Sequence, residues 1–278
     1  MNIVEQLRQA ALQGSPALRK VGLWMAAHPL RAVSLSAEEI ALQADASQSA
    51  VNRFATHAGF SGFIQLRAAL AAELQEVQAP IAKLGQLPSA GEQHPFQCAQ
   101  DGLLQASQQL DVQVLAQCAQ RMLDAPHIYT LGLGMSHYAA GFAASALLPY
   151  VQGSTHLSEG GGTEQILRRM MSVRAGDVVL VISVPRYSMD AVQLAKTARD
   201  KGAHVVAITD QAGAPLAGVA DTVLLAPAQH SVLSHSYVSI IAVIETLLAH
   251  IVRLNPQSAA ITTDLIDTVL PHLQMRKP

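Results

Sequence analysis

Two short segments of the chain combine glycine, serine and arginine in a way that suits the binding of an anion. The first spans Gly132–His137 and the second Ser183–Ser188. Each follows an apolar run typical of a buried strand and precedes a helical pattern. Glycine lets backbone N–H groups approach a ligand, serine donates a hydroxyl proton, and a helix N-terminus adds a favourable dipole. The two segments therefore predict a small-molecule site.

Ligand contacts are expected from both segments. The candidate residues are Gly132, Gly134, Met135, Ser136, His137, Ser183, Arg186, Tyr187 and Ser188. Arg186 suits a phosphate or a carboxylate because its guanidinium can donate two parallel hydrogen bonds. Two alternatives stay open: the first segment can be a plain tight turn that packs a helix on a strand, and Arg186 can be a solvated loop charge.

The first segment does not fit a nucleotide cofactor. A dinucleotide fingerprint requires a third glycine at the position that His137 occupies. The chain has no Gly-Lys-Ser/Thr sequence of an NTPase phosphate loop. No cluster of His, Asp or Glu shows metal-ligand spacing. We therefore expect neither a cofactor nor a metal.

Residues 97–278 alternate short apolar runs with helical patterns. The strand candidates are 127–132, 154–157, 177–183, 204–210 and 221–225, and the helix candidates are 97–123, 136–150, 162–172, 188–201, 232–254 and 258–275. This alternation predicts an α/β fold with a doubly wound, five-stranded parallel sheet. In such a sheet ligands bind beyond the carboxyl ends of the strands, where both anion-binding segments fall.

Residues 1–76 carry helix signals and no strand signal, which predicts an all-α domain. Ser36 begins a capping-box sequence, Ser47 opens a further helix, and Gly59 closes it. The two short helices so defined match a helix-turn-helix in length and spacing.

The second helix of this pair is predicted to turn polar side chains outward. We expect DNA contacts from Ser36, Ser47, Gln48, Ser49, Asn52 and Arg53. Such side chains can reach base edges or phosphates. No acidic residue occurs between Asp45 and Glu73, so little on this face repels DNA. A helical bundle that serves only oligomerisation is the alternative.

Turn-forming residues separate the two parts of the chain. Residues 77–96 contain three prolines and two glycines without periodicity, which predicts a linker. The predicted organisation is therefore a helix-turn-helix domain at 1–76, a linker at 77–96, and a ligand-binding and dimerisation domain at 97–278.

Composition limits the class of protein. The chain has 278 residues, a formal charge of −2, and half of its residues are hydrophobic, which argues against global disorder and against a broadly basic nucleic-acid coat. No signal peptide is evident, and the longest apolar stretch, 238–252, is too short and too polar for a span of about 20 apolar residues. We expect a cytoplasmic protein with no membrane contact, whose Cys98 and Cys118 are reduced.

Residues 41–54, followed by Gly-Phe-Ser-Gly-Phe at 59–63, resemble the N-terminal domain of RpiR-type bacterial transcriptional regulators. The resemblance continues past the linker and covers nearly the whole chain. It implies that residues 47–53 form the recognition helix for double-stranded operator DNA.

The two anion-binding segments resemble those of the SIS (sugar isomerase) domain, the usual C-terminal half of these regulators. That family binds phosphosugars with a Gly-x-Gly-x-Ser turn and a Ser-x-Ser-Gly-x-Thr loop. The segment Gly132–Ser136 matches the turn, and Ser183 and Ser188 match the ends of the loop. Pro185-Arg186-Tyr187 replaces Ser-Gly-x between them, so a smaller, non-sugar organic acid is an alternative effector.

These features predict a ligand-responsive, DNA-binding transcriptional regulator that self-associates as a dimer or tetramer. Its effector is expected to be a phosphosugar or a related small anion, and no catalytic residue is predicted. One alternative is an SIS-type isomerase or lyase, for which Glu159 with His156 or His235 are the candidate acid–base pairs. An oligomerisation adaptor is a third possibility.

Overall fold

The computed structural model of the protein describes residues 3–71, 74, 95–160 and 162–272. The chain divides into two compact units, residues 1–86 and 87–278, and each has its own hydrophobic core. Most of the predicted linker lies outside the described residues, and Pro95, near its end, begins a helix. The exact domain boundaries given by the sequence therefore stay a prediction.

The N-terminal unit is all-α over its described residues. Its helices are α1 (Ile3–Gln13), α2 (Pro16–Ala27), α3 (Pro29–Ser34), α4 (Ala37–Gln43), α5 (Gln48–His57) and α6 (63–71). Helices α4 and α5 coincide with the predicted helix-turn-helix.

Close packing of α2 on α5 fixes the orientation of α5. Phe54 of α5 is fully buried, and a Cβ placed on Gly22 of α2 would lie only 2.5 Å from its ring. Glycine at position 22 therefore lets the two helices approach. Val51 and Ala55 are buried as well, so the opposite side of α5 is the side that faces solvent.

The C-terminal unit contains one five-stranded parallel sheet, as predicted. Its strands are β1 (Ile128–Gly132), β2 (Ser154–His156), β3 (Val178–Ile182), β4 (His204–Thr209) and β5 (Thr222–Leu225), in the spatial order β2-β1-β3-β4-β5. The helices are α7 (Pro95–Gln109), α8 (Val112–Asp124), α9 (Ser136–Leu147), α10 (Thr163–Met170), α11 (Met189–Asp200), α12 (Val238–Leu254) and α13 (Ser258–Val269), followed by a 3₁₀ turn, Leu270–His272.

Both faces of the sheet are covered by apolar side chains. In β3, Val178, Leu180 and Ile182 enter one hydrophobic core, while Val179 and Val181 enter the core on the other face. Successive residues of a strand point to opposite faces, so burial on both sides explains the continuous Val/Leu/Ile run that marked this strand in the sequence.

Two helix predictions differ from the structure. The helix expected at 97–123 is divided, because Asp111 Oδ1 accepts the backbone N–H of Gln113 at 2.7 Å and of Val114 at 3.4 Å and so caps a new helix. The helix expected at 232–254 begins only at Val238. Hydrophobic periodicity identifies a helical face but does not determine where the backbone enters the helix.

The start of α12 is displaced by turns that the periodic pattern does not reveal. The backbone N–H groups of Val232 and Leu233 donate to His230 Nδ1 at 3.0 and 2.8 Å. The N–H of Ser236 donates to the carbonyl oxygen of Ala228 at 2.8 Å. These hydrogen bonds are incompatible with a helix through the same residues, and they bring the segment before α12 to the end of the sheet.

Both cysteines are free thiols, as expected. Cys118 is buried in α8, and burial raises the pKa of its thiol to about 12. Cys98 in α7 is half-buried, and its Sγ lies 3.6 Å from the carbonyl oxygen of Gln229. Cys118 should therefore be the less reactive thiol at neutral pH.

Among the described residues, no single helix has the length and hydrophobicity needed to cross a membrane. Helices α12 and α13 meet that criterion only when taken together, and they are bent by 111° at the break between them.

Substitution of Gly22 tests the contact between α2 and α5. We expect Gly22→Ala to destabilise the N-terminal unit by about 1–3 kcal/mol, because the added methyl overpacks the site. Trp24, the single tryptophan of the chain, reports on this unit by fluorescence during urea denaturation. Gly62→Ala is the matched control, since a Cβ there meets nothing within 4 Å. Equal denaturation midpoints for the two variants would contradict the prediction.

Candidate functional site

The helix-turn-helix presents the polar surface that the sequence predicted. Residues 44–47 connect α4 to α5. The four polar side chains expected on α5 are all exposed: Gln48, Ser49, Asn52 and Arg53. They lie opposite the buried Phe54 face, so they are available to a partner in the way that a recognition helix requires. Their contact with DNA stays a prediction.

The two serines of this region have different surroundings. Ser47 Oγ accepts the backbone N–H of Ala50 at 3.2 Å and lies 3.1 Å from Ser49 Oγ, so it caps the N-terminus of α5. Ser36 forms a complete capping box with Glu39: Ser36 Oγ accepts the backbone N–H of Glu39, and the Ser36 backbone N–H donates to the Glu39 carboxylate. Because Glu39 places a carboxylate at that helix end, Ser36 is poorly suited to a phosphate, although it stays among the predicted contacts.

A cavity of about 260 Å³ lies at the carboxyl ends of β1 and β3. This is the switch point of the sheet, where β1 has β2 on one side and β3 on the other. The cavity is lined by Leu133, Gly134, Met135, Ser136, Ile182, Ser183, Val184, Pro185, Arg186, Ser188, His235 and Tyr237. Six of the nine predicted ligand residues therefore come together there.

The turn after β1 depends on Gly132. A Cβ at this position would lie 2.2 Å from the backbone oxygen of Ser136, so only glycine lets α9 begin so soon after the strand. Gly134 adopts a left-handed φ of +57°, which completes the turn. As a result Ser136 is buried, and its Oγ lies 3.1 Å from the hydroxyl of Tyr237.

The loop after β3 is attached to the neighbouring strand β4. Thr209 Oγ1 donates to the carbonyl oxygen of Ser183 at 2.7 Å, and the Tyr187 hydroxyl donates to Asp210 Oδ1 at 2.7 Å. Ser188 Oγ accepts the N–H of Ala191 at 3.3 Å and caps α11. These bonds hold the loop on both sides of Arg186, which is exposed, lines the cavity and has a φ of +61°.

The structure separates the three remaining predicted ligand residues from the cavity. Tyr187 turns towards Asp210 instead of lining the cavity. Gly132 and His137 line a neighbouring cavity of about 290 Å³, together with Ser158. Gly134 lines both cavities, so the two spaces lie on either side of the turn after β1.

Tyr237 is a cavity residue that the sequence analysis missed. It precedes α12 and lies 101 positions beyond Ser136, and no motif marks it. Burial raises the pKa of Tyr237 above its ordinary value, although the hydrogen bond with Ser136 and the positive charge of Arg186 oppose the shift. At neutral pH the phenol is therefore protonated and able to donate to an anion.

A chain of hydrogen bonds runs from β1 to the start of α9. Thr130 Oγ1 donates its only proton to the carbonyl oxygen of Ala140 at 2.8 Å, so it accepts from His156 Nδ1 at 3.1 Å. His156 Nε2 is then the acceptor for His137 Nδ1 at 3.0 Å. Burial lowers the pKa of His156, and the nearby His137 lowers it further, so the neutral ring that this arrangement requires is favoured.

Comparison with known families identifies both units. Residues 1–77 match the helix-turn-helix domain of the rpiR family, and residues 121–253 match the SIS domain. The chain belongs to the RpiR family. The resemblance inferred from the sequence is thereby confirmed, together with the fold class of an all-α helix-turn-helix unit followed by an SIS-type α/β unit.

Individual relatives of this RpiR-family protein agree with the assignment. It is 28% identical over 221 residues to the HTH-type transcriptional regulator HexR of Pseudomonas aeruginosa, covering 78% of this chain and 75% of HexR. The sugar isomerase domain of an RpiR transcription factor from Sphaerobacter thermophilus is 29% identical, with a TM-score of 0.58, over 62% of this chain and 96% of that domain.

One solved structure matches almost the entire length. NanR of Vibrio vulnificus, solved in complex with ManNAc-6P, has a TM-score of 0.59 and covers 99% of this chain and 100% of its own, at 19% identity. At this identity the comparison shows a shared fold.

Of the acid–base pairs considered for an enzyme, Glu159 and His156 are coupled through charge, because the Glu159 carboxylate opposes the lowering of the His156 pKa. The hydrogen bonds of the His156 ring among the described residues go to Thr130, His137 and Ser158. His235 lines the cavity that contains Arg186, whereas His156 bonds to His137, which lines the neighbouring cavity. Among the described residues, no group of three or more His, Cys, Asp or Glu is placed so that it could hold a metal ion.

Substitution of Gly132 tests the turn that positions Ser136. We expect Gly132→Ala to lower the melting temperature of the C-terminal unit, because the new methyl overlaps the Ser136 carbonyl and must displace α9. Gly141→Ala in α9 is the control, since its Cβ would meet the His156 ring at an ordinary 3.6 Å and alanine favours a helix. Calorimetry that finds both variants as stable as the parent would show that the turn tolerates a side chain.

Proposed function

We propose that the protein is a ligand-responsive, DNA-binding transcriptional regulator without catalytic activity. The observation that carries the proposal is the exposed polar face of α5. The same chain contains a cavity at the switch point of the sheet, and an arginine and several hydroxyl groups line this cavity. The relatives named as transcriptional regulators support it. Because a regulator of this kind acts on chromosomal DNA, we propose that the protein is located in the cytoplasm.

The DNA-binding role is assigned to α5. Its N-terminal half would enter the major groove, with Gln48, Ser49 and Asn52 near base edges and Arg53 near a base or a phosphate. Ser47, at the N-cap, would approach a phosphate. A single helix-turn-helix unit with few Lys and Arg side chains binds DNA weakly. We therefore propose that two copies of the protein act together on operator DNA, as a dimer or as part of a tetramer.

The effector is proposed to be a phosphosugar or a related small anion. Arg186 supplies the positive charge at the cavity, and Ser136, Ser183, Ser188 and Tyr237 supply hydroxyl groups. The ligand of NanR, ManNAc-6P, supports a phosphosugar. Pro185 provides no backbone N–H, so the guanidinium takes over part of the role that backbone and serine donors have in the family motif.

Effector binding would alter DNA binding by a shift between conformations of the assembled protein. A ligand changes such an equilibrium only as far as it prefers one state. The loops after β1 and β3 both line the cavity and both lead directly into helices, α9 and α11. An anion that draws these two loops together would therefore move the start of both helices.

Substitution of Arg53 tests the recognition helix. We expect Arg53→Ala to weaken binding to a specific duplex by about 1–3 kcal/mol, or roughly ten- to a hundredfold, if the guanidinium contacts a base. Fluorescence anisotropy with a duplex selected by the wild-type protein from a random library measures this. Arg168→Ala, which removes an exposed, ion-paired arginine of α10, is the control. Equal affinities of the two variants would remove Arg53 from the interface.

Substitution of Arg186 tests the anion site. A ligand that binds the folded protein raises the melting temperature, and at a fixed concentration a tighter ligand raises it more. We expect Arg186→Ala to abolish the rise produced by the phosphosugars or organic acids that stabilise the wild type. Arg186→Lys should retain part of the rise, because a lysine keeps the charge but loses the paired hydrogen bonds. An undiminished rise in Arg186→Ala would exclude contact between Arg186 and the anion.

A further inference from the structure

The turn of the helix-turn-helix contains an acidic residue in an uncommon backbone conformation. Asp45 is the second of the four residues between α4 and α5, and its φ is +49°. Side chains other than glycine seldom adopt this left-handed region, although Asp and Asn tolerate it better than most. The carboxylate stands two residues before Ser47, the N-cap of the proposed recognition helix.

Lys20 of α2 holds this residue from outside the helix-turn-helix. Its Nζ lies 2.6 Å from Asp45 Oδ2 and 3.4 Å from the Asp45 carbonyl oxygen. The hydrogen bond and charge of Lys20 lower the pKa of the Asp45 carboxyl below its ordinary value. Asp45 is therefore ionised at neutral pH, and the pair contributes a net charge close to zero.

Stability alone does not account for the pair. The Lys20 and Asp45 side chains are 54% and 91% exposed, and exposed ion pairs contribute little to folding. Asp45 is also the last acidic residue before Glu73 in the sequence, so its carboxylate directly precedes a segment, 46–72, that includes α5 and contains no acidic residue. An uncompensated negative charge in that place would repel the DNA backbone, whose affinity for proteins depends on phosphate neutralisation.

We propose that Lys20 is a positioning residue for DNA binding: it cancels the charge of Asp45, so that the turn and the N-terminus of α5 can approach the phosphates. The inference rests on the proposed DNA-binding function. Lys20 acts through Asp45, and DNA affinity follows the net charge of the pair.

A double-mutant cycle on the full-length chain tests this role. Lys20→Met leaves the pair at −1 and should weaken binding to the selected duplex several-fold. Asp45→Asn leaves it at +1, keeps a side chain that tolerates the left-handed conformation, and should strengthen binding. The double variant is neutral, like the wild type, and should bind within about twofold of it. All differences should shrink as salt is raised from about 50 to 200 mM, because the effect is electrostatic.

Arg8→Met is the matched control. Arg8 forms a similar exposed pair with Glu5, at 3.1 Å on α1, so the variant removes the same charge from the same unit away from the turn. It should weaken binding less than Lys20→Met does. Thermal melting of every variant identifies any loss of folded protein.

The outcomes separate the inference from the function on which it rests. If the wild type selects no duplex from the library, the DNA-binding proposal fails and the role of Lys20 fails with it. If the wild type binds but Asp45→Asn does not rescue Lys20→Met, Lys20 acts by contacting DNA or by shaping the turn, and the inference alone is overturned. An unchanged affinity in Lys20→Met also overturns it.

Discussion

The α/β unit depends on the close approach of α9 to the end of β1. A Cβ at position 132 would overlap the Ser136 carbonyl. Because Gly132 has no Cβ, α9 can start directly at the edge of the sheet. At this edge β1 is flanked by β2 on one side and by β3 on the other. The chain leaves β1 towards one side and β3 towards the other, which opens the crevice between the two loops. The hydroxyls and the arginine gathered there owe their proximity to this topology.

The helical unit depends on an equally tight contact. The Phe54 ring occupies the space beside Gly22, and the resulting packing of α2 on α5 determines which side of α5 is exposed. The same helix α2 carries Lys20, which bonds to the turn before α5. One helix therefore sets both the rotation of the proposed recognition helix and the charge of the turn that leads into it.

Local patterns in the sequence were sufficient for the five strands and their order along the chain, but not for the division of the 97–123 helix or for the start of α12. The central strand β3 is an uninterrupted Val/Leu/Ile run because it is buried on both faces, and α4 and α5 carry capping residues that mark their starts. The patterns do not show which residues, far apart in the sequence, lie close together in the structure. Tyr237 reaches Ser136 across 101 positions, and its approach depends on turns built around His230 that have no periodic signature.

Neighbours in sequence can also face different spaces. Ser136 and His137 are adjacent, yet Ser136 lines the cavity between the loops after β1 and β3, and His137 lines the neighbouring cavity that contains Ser158. They lie in the first turn of α9, where successive residues point about 100° apart. Tyr187 likewise follows Arg186 but bonds to Asp210 behind the loop. The motif identifies the loops that follow β1 and β3, whereas backbone geometry determines which cavity each residue lines.

Backbone strain in this chain coincides with the two proposed sites. Asp45 and Arg186 are the two described residues other than glycine that have a positive φ, and such strain tends to persist where the surroundings impose it. Each lies beside a hydrogen bond to another element, Lys20 to Asp45 in one unit and Tyr187 to Asp210 in the other. Glycine would relieve the strain at either position but would remove the charge.

The charge is therefore the property that distinguishes these residues from glycine. At position 186 it provides a cation on a loop whose neighbouring residues are bonded to the end of β4, so less of the loop backbone would have to become ordered when the proposed anion binds. At position 45 the carboxylate joins the turn to α2 through Lys20, and the lysine offsets the repulsion that the carboxylate would otherwise exert on DNA. In both units the backbone beside a strained, charged residue is attached to a neighbouring element, Asp45 to α2 and the Arg186 loop to β4, which limits the conformations open to each proposed site before its ligand binds.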